Sequence, residues 1–227
     1  MKPRSILIAL LVAGGLAAQQ PSDGPMARVI LFGESIQTRS ILLGPGIQDQ
    51  ADRQAGPGIR LMGQFVADSP WVWELSGRFQ SSARMATDRD IMVPSSPNIL
   101  DARGVKVYYS YWSVGAGYLL PLSHAVDLGL HLEGRAETIN PKGTYTTTLG
   151  GAGFVDAHKV YWRPWARLSL DVKFRTGSMQ TLVGAELAGT PFKTDQKAID
   201  PMPLLDQNTA RAMAPTWSGA VYAGIQF

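Results

Sequence analysis

Over most of its length this chain changes chemical character at every second residue, and that period decides which architectures are open to it. Trp71, Trp73, Leu75, Gly77 and Phe79 alternate with Val72, Glu74, Ser76 and Arg78. Val126, Leu128, Leu130, Leu132, Gly134 and Ala136 alternate with Asp127, Gly129, His131, Glu133 and Arg135. Ile59, Leu61, Gly63 and Phe65 run against Arg60, Met62, Gln64 and Val66. At the C-terminus Trp217, Gly219, Val221, Ala223, Ile225 and Phe227 run against Ser218, Ala220, Tyr222, Gly224 and Gln226. Successive side chains of a strand point to opposite faces, so each stretch has one apolar and one more polar face. Helical spacing fits none of the four as well.

Weaker alternation adds four more strands. Ala27–Gly33 is mostly apolar with ambiguous phase, and Val105–Leu120 sets Trp112, Val114, Ala116, Tyr118 and Leu120 against Tyr109, Tyr111, Ser113, Gly115 and Gly117. Ala157–Phe174 sets Val160, Trp162, Ala166, Leu168, Leu170 and Val172 against Tyr161, Arg163, Arg167, Ser169, Asp171 and Lys173, with Pro164 suggesting a bulge or local break. Met179–Leu187 sets Thr181, Val183 and Ala185 opposite Gln180 and Glu186. Between the resulting eight strands, short connections (Asp68–Pro70, Pro121–His124, Arg175–Ser178) alternate with long ones near 34–58, 81–104, 138–155 and 188–215. A soluble sandwich has no reason to sort its loops in this way. A membrane barrel does, with short periplasmic turns and long outer loops.

The N-terminus predicts export. Residues 1–18 read as a signal peptide, with Lys2 and Arg4, an apolar stretch from Ile6 to Leu16 and small residues before cleavage at Ala17 or Ala18. Residues 19–25 form a short periplasmic lead and 26–227 the barrel. Beyond residue 20 no 18-residue window is apolar and free of charge, so strands, not helices, must cross any bilayer. Without cysteine the chain has no disulfide scaffold, thiolate metal site or N-terminal lipid. Removal of the leader leaves 19 basic against 18 acidic residues, so charge gives no argument for nucleic acid.

Alternation alone does not say which face is outside. Trp71, Trp73, Phe79, Trp162, Trp217 and Phe227 lie on apolar faces and towards strand ends. An eight-stranded barrel has an interior only wide enough for ordinary side chains, so these rings are expected outside as an aromatic girdle. Trp217 to Phe227 spans about 33 Å of strand, or roughly 25 Å when tilted, the height of a lipid-facing band. The polar face collects Arg60, Glu74, Arg78, Asp127, His131, Glu133, Arg135, Arg163, Arg167, Asp171, Lys173 and Glu186. Charge of both signs in near balance suits a narrow, water-poor lumen.

The closing segment, Trp217-Ser-Gly-Ala-Val-Tyr-Ala-Gly-Ile-Gln-Phe227, resembles the insertion signal of bacterial outer-membrane proteins, carried by Val221, Ala223, Ile225 and Phe227. Tyr111-Trp-Ser-Val-Gly-Ala-Gly-Tyr118 is similar to segments of the small OmpA- and OmpX-type barrels. The resemblance implies an all-β, eight-stranded antiparallel up-and-down transmembrane β-barrel in the outer membrane of a Gram-negative-type envelope. It also implies recognition of the C-terminal strand by the barrel-assembly machinery. The expected partners are that machinery and outer-membrane lipid, with no nucleic acid, and the barrel is expected to be a monomer.

Candidate chemistry is sparse. His124 falls in a short turn. His131, two residues from Glu133, is placed to pair with it, and with Ser76, Ser113 or Ser169 such a pair makes a triad in principle; satisfaction of its own charges is the simpler reading. His158 has the lipid-facing phase near the rim, where barrel lipid A deacylases keep a histidine, but His158-Lys159-Val160 lacks their nucleophilic serine. Gly150, Gly151 and Gly153 precede no helix and make no phosphate cradle. No catalytic residue, metal site or cofactor is expected. The chain reads as a structural or surface-interaction barrel with a largely plugged polar lumen. A small-solute channel and, further off, a lipid-modifying barrel enzyme are the alternatives.

Overall fold

The computed structural model describes residues 25–40, 50–84, 91–92, 99–147, 152–156, 159–176, 179–192 and 215–227. The expected signal peptide at 1–18 lies outside them, as do most of the lead at 19–25 and His158. Ten strands are present: β1 (Ala27–Ser40), β2 (Gln50–Gln64), β3 (Trp71–Arg84), β4 (Ile91–Met92), β5 (Ile99–Ser123), β6 (Val126–Thr147), β7 (Ala152–Asp156), β8 (Lys159–Thr176), β9 (Met179–Gly189) and β10 (Trp217–Gln226). Eight of them close on themselves in the order β1-β2-β3-β5-β6-β8-β9-β10, every pair antiparallel. The seam is β1 with β10, where Ala27 and Phe227 exchange both backbone hydrogen bonds. The two short strands flank the cylinder, β4 pairing with β5 and β7 with β6.

The short turns at Asp68–Pro70 and Pro121–His124, the start of β1 and the end of β10 share one end, the turn end. In the turn at Asp68-Ser69-Pro70, Asp68 takes the left-handed conformation (φ 59°) that a short polar side chain tolerates. At the opposite, loop end the strands outrun the expected bounds of the long loops. Residues 34–40, 50–58, 81–84, 99–104 and 138–147 are strand. Backbone pairing persists there although the apolar face has ended, because a ladder hydrogen bond needs no particular side chain.

The outer wall is apolar. Trp71, Trp73, Leu75 and Phe79 of β3, Trp112 and Val114 of β5, Leu130 and Leu132 of β6, Leu168 and Leu170 of β8, and Val221 of β10 are all exposed. Two of the indoles lie over glycine of the neighbouring strand: a Cβ on Gly63 would meet the Trp73 ring at 2.7 Å, and one on Gly77 the Trp112 ring at 2.6 Å. Glycine on a sheet face covered by a neighbouring ring shields backbone that would otherwise be bare. Trp71 packs edge-on to Tyr118, ring centroids 5.2 Å apart.

Pro164 does not produce a bulge against β6. It pairs in register with Gly134, and the break lies on the other side of β8, where pairing with β9 stops at Ala166 and Gly189.

Candidate functional site: the ionic interior and the loop-end wall

Side chains on the inward phase meet inside the cylinder as a stack of ion pairs. Nearest the turn end, Arg28 donates to Asp127 (2.8 Å), Asp171 (2.7 Å) and Gln226 (2.8 Å). Lys173 completes Asp127 at 2.8 Å, and the Tyr222 hydroxyl donates to Asp171. Beside this group an apolar cluster of Ile30, Phe32, Met62, Val72, Leu119, Leu182 and Ala220 fills the remaining width. The sequence suggests a largely plugged polar lumen, and this cluster adds an apolar layer to it. The phase of β1 explains the difference: with Arg28 and Glu34 pointing inward, Ile30 and Phe32 must do the same.

In the middle layer Arg60 grips Glu186 with two hydrogen bonds, 2.7 and 2.9 Å. Arg167 bridges Glu74, Glu186 (3.3 Å) and Glu133 (3.4 Å). Ser113 donates to Glu133 at 2.9 Å and shares a 2.6 Å hydrogen bond with Ser76. Above them Arg135 pairs with Glu133 (2.6 Å) and Glu34 (3.3 Å), its guanidinium between the rings of Tyr111 and Trp165, each centroid 4.1 Å away. Arg78 reaches Glu34 at 3.1 Å and donates to the Tyr109 carbonyl at 2.7 Å. At the loop end Glu137 accepts from Arg163 (2.6 and 2.7 Å), Tyr109 (2.5 Å) and Trp165 (3.3 Å).

All twelve charged residues singled out in the sequence face this interior, and three more join them: Arg28, Glu34 and Glu137. Among the described residues, six arginines and Lys173 then meet seven carboxylates, so the permanent charges cancel. Balance matters here, because a buried ion left without its partner is strongly destabilising. Arg28 and Glu34 are hidden in sequence by the apolar neighbours of β1. Glu137 lies one residue past the point where clear alternation stops.

His131 does not pair with Glu133. Its Nδ1 lies 3.3 Å from Glu74 on β3 and its Nε2 3.1 Å from Ser169 Oγ on β8. The ring fits because glycines flank it: a Cβ on Gly117 or Gly129 would sit 2.2 and 2.3 Å from its nitrogens. Ser169, His131 and Glu74 thus stand in the order of a nucleophile, base and orienting acid. Yet Ser169 is 4% exposed, Glu74 also carries Arg167, and the cavity described below does not reach them. No group of three or more His, Asp and Glu side chains suited to a metal occurs among the described residues.

The aromatic residues singled out in the sequence point away from this interior. Trp71, Trp73, Phe79, Trp162, Trp217 and Phe227 are exposed, as are Val221 and Ala223, while Ile225 is half-buried. Trp165 is the exception among the indoles, 1% exposed and inside. His124 is exposed in its turn. Beyond the girdle, Lys142 on β6 meets Asp156 on β7 at 2.8 Å, and that hydrogen bond holds its ammonium pKa above the usual value; so exposed a pair adds little stability.

The wall is interrupted at the loop end, between β8 and the chain that leaves β9. A cavity of about 500 Å³ opens there on the outside of the barrel, lined by Leu132, Trp162, Pro164, Ala166, Pro191 and Phe192 and backed by Trp165.

Neither a family model nor a curated protein matches the chain. Solved structures do match. A major outer membrane protein of Thermus thermophilus superposes with a TM-score of 0.51 at 8% identity, over 89% of this chain and 99% of that one. The chain has the fold of the small outer-membrane barrels. Two others align less closely. Ail of Yersinia pestis, in complex with the heparin analogue sucrose octasulfate, gives a TM-score of 0.47 at 12% identity over 91% and 100% of the two chains. Neisserial surface protein A gives 0.46 at 9% identity over 90% and 96%.

Proposed function

We propose that this chain is an integral protein of the bacterial outer membrane, a barrel closed to solutes that offers its loop end as an interaction surface. One observation carries the reading: the partition of side chains is inverted. Arg60, Arg78, Arg135, Arg163 and Arg167 are at most 3% exposed, while Trp71, Trp112, Trp162 and Trp217 are 47–68% exposed. In water that arrangement leaves apolar surface solvated and charge desolvated; with acyl chains outside, the apolar surface is no longer a cost. Val221, Ala223, Ile225 and Phe227 supply the C-terminal strand that the assembly machinery reads. Its eight strands close into one sheet within a single chain, which supports a monomer.

The ion pairs span the bore at every level, and the apolar cluster closes the turn end. Eight strands leave no spare width. Ser169 is buried between His131 and its neighbours, and this reading assigns no catalysis to the interior. The test is fractionation with heat-modifiability: the protein sediments with outer-membrane lipid, and unboiled samples migrate apart from boiled ones. Recovery in the aqueous fraction without detergent contradicts the proposal. Large, long-lived channels in planar bilayers contradict the closed lumen alone.

A further inference from the structure

Pairing between β8 and β9 ends at Ala166 and Gly189, yet β8 continues towards the loop end paired with β6. Past Gly189 the chain keeps one hydrogen bond to the β10 side, Thr190 N–H to the Thr216 carbonyl, and leaves β8. Residues 159–165 of β8 therefore have β6 on one side and, among the described residues, no strand on the other.

The sequence fits this open edge. The Lys173 N–H donates to the Ala125 carbonyl on the β6 side. With no register shift between β8 and either neighbour, every odd residue of β8 does the same and every even nitrogen points the other way. Pro164 is the first even position beyond the end of β9, so the first donor that would face the gap is missing by chemistry. Arg163 crosses the gap from the inside, donating to the carbonyls of Phe192 (2.9 Å) and Pro215 (2.7 Å). Trp165 closes the floor, its indole against Arg135 and Arg163. What remains on the outer side is the apolar cavity, level with Trp162 and the Trp112 row of the girdle.

We infer that this crevice holds one acyl chain of an outer-leaflet membrane lipid. The inference rests on the outer-membrane reading and makes it more specific. The crevice is continuous with the exposed belt through Leu132, Trp162 and Leu168, so the solvent at its mouth is lipid. Left empty, its lining loses dispersion contacts. Across the gap the Phe192 and Pro215 carbonyls are engaged by Arg163, and Pro164 offers no N–H, so the lining is mainly apolar. Its volume lies in the range of about 300–1,000 Å³ typical of apolar ligand pockets.

The test refolds the full chain in phosphatidylcholine vesicles whose acyl chains carry a photoactivatable diazirine, and maps adducts by mass spectrometry. Leu132, Ala166 and Phe192 are expected to carry several-fold more adduct per residue than Leu168, Leu170 and Val183 on the plain wall. Ala166→Trp, or Ala166→Leu if the indole prevents folding, is expected to return Phe192 to the plain-wall level while heat-shifted mobility is kept. Even labelling, or a variant that leaves the excess at Phe192 intact, overturns the inference and spares the outer-membrane reading. Phe192 labelled less than the plain wall means that a segment of this chain fills the crevice, which also overturns it. No adducts anywhere on the belt overturn both.

Discussion

Each buried charge in this barrel is tolerable only because another lies within reach. Arg60→Met leaves Glu186 with Arg167 as its remaining cation partner and is expected to cost about 3–5 kcal/mol, because it strands charge rather than merely removing a contact. Arg60→Met combined with Glu186→Met restores the balance and is expected to cost less than the single change. Urea unfolding in vesicles measures both, and a double variant weaker than the single contradicts a self-neutralising interior. Ser169 stands in line with His131 and Glu74 but is sealed in. It is expected to stay unlabelled by a fluorophosphonate probe in the folded barrel; labelling that disappears in Ser169→Ala would show a hydrolytic site. Gly117→Ala and Gly129→Ala are both expected to lower stability, since each Cβ collides with the imidazole.

At the scale of strands, legibility followed the contrast between faces. β3, β6 and β10 could be read directly because one face is apolar and the other polar or small along their alternating stretches. β1 could not, since Val29 and Leu31 face outward while Ile30 and Phe32 face inward, and both sets are apolar. Only the burial of Arg28 and Glu34 fixes its phase, and that depends on partners on β3, β5, β6 and β8 more than forty residues away. Trp165 was illegible for another reason. Pro164 interrupts the alternation beside it, and nothing local says that this indole stacks on Arg135. The loop-end strands escape sequence reading because ladder pairing continues where amphipathic contrast has stopped. Val221→Arg, on the outer face of β10, is expected to cost about 2–4 kcal/mol in a bilayer. A stability change near zero in the same unfolding assay means that Val221 does not face acyl chains.

For the molecule as a whole, the proposed division of labour is between an apolar wall that meets acyl chains and a centre that cancels its own charge. A barrel so filled gives rigidity to whatever its loop end presents, and binding concentrates on loops held by such scaffolds. Five of its six tryptophans, Trp71, Trp73, Trp112, Trp162 and Trp217, are exposed on the wall, and Trp165 is enclosed. Refolding in vesicles of phosphatidylcholine brominated along its acyl chains puts a short-range quencher against that wall. The expected result is loss of most of the tryptophan emission relative to unbrominated vesicles, with a remainder left from Trp165. Emission that survives bromination intact would contradict a lipid-facing wall, because the indoles could not then be touching acyl chains.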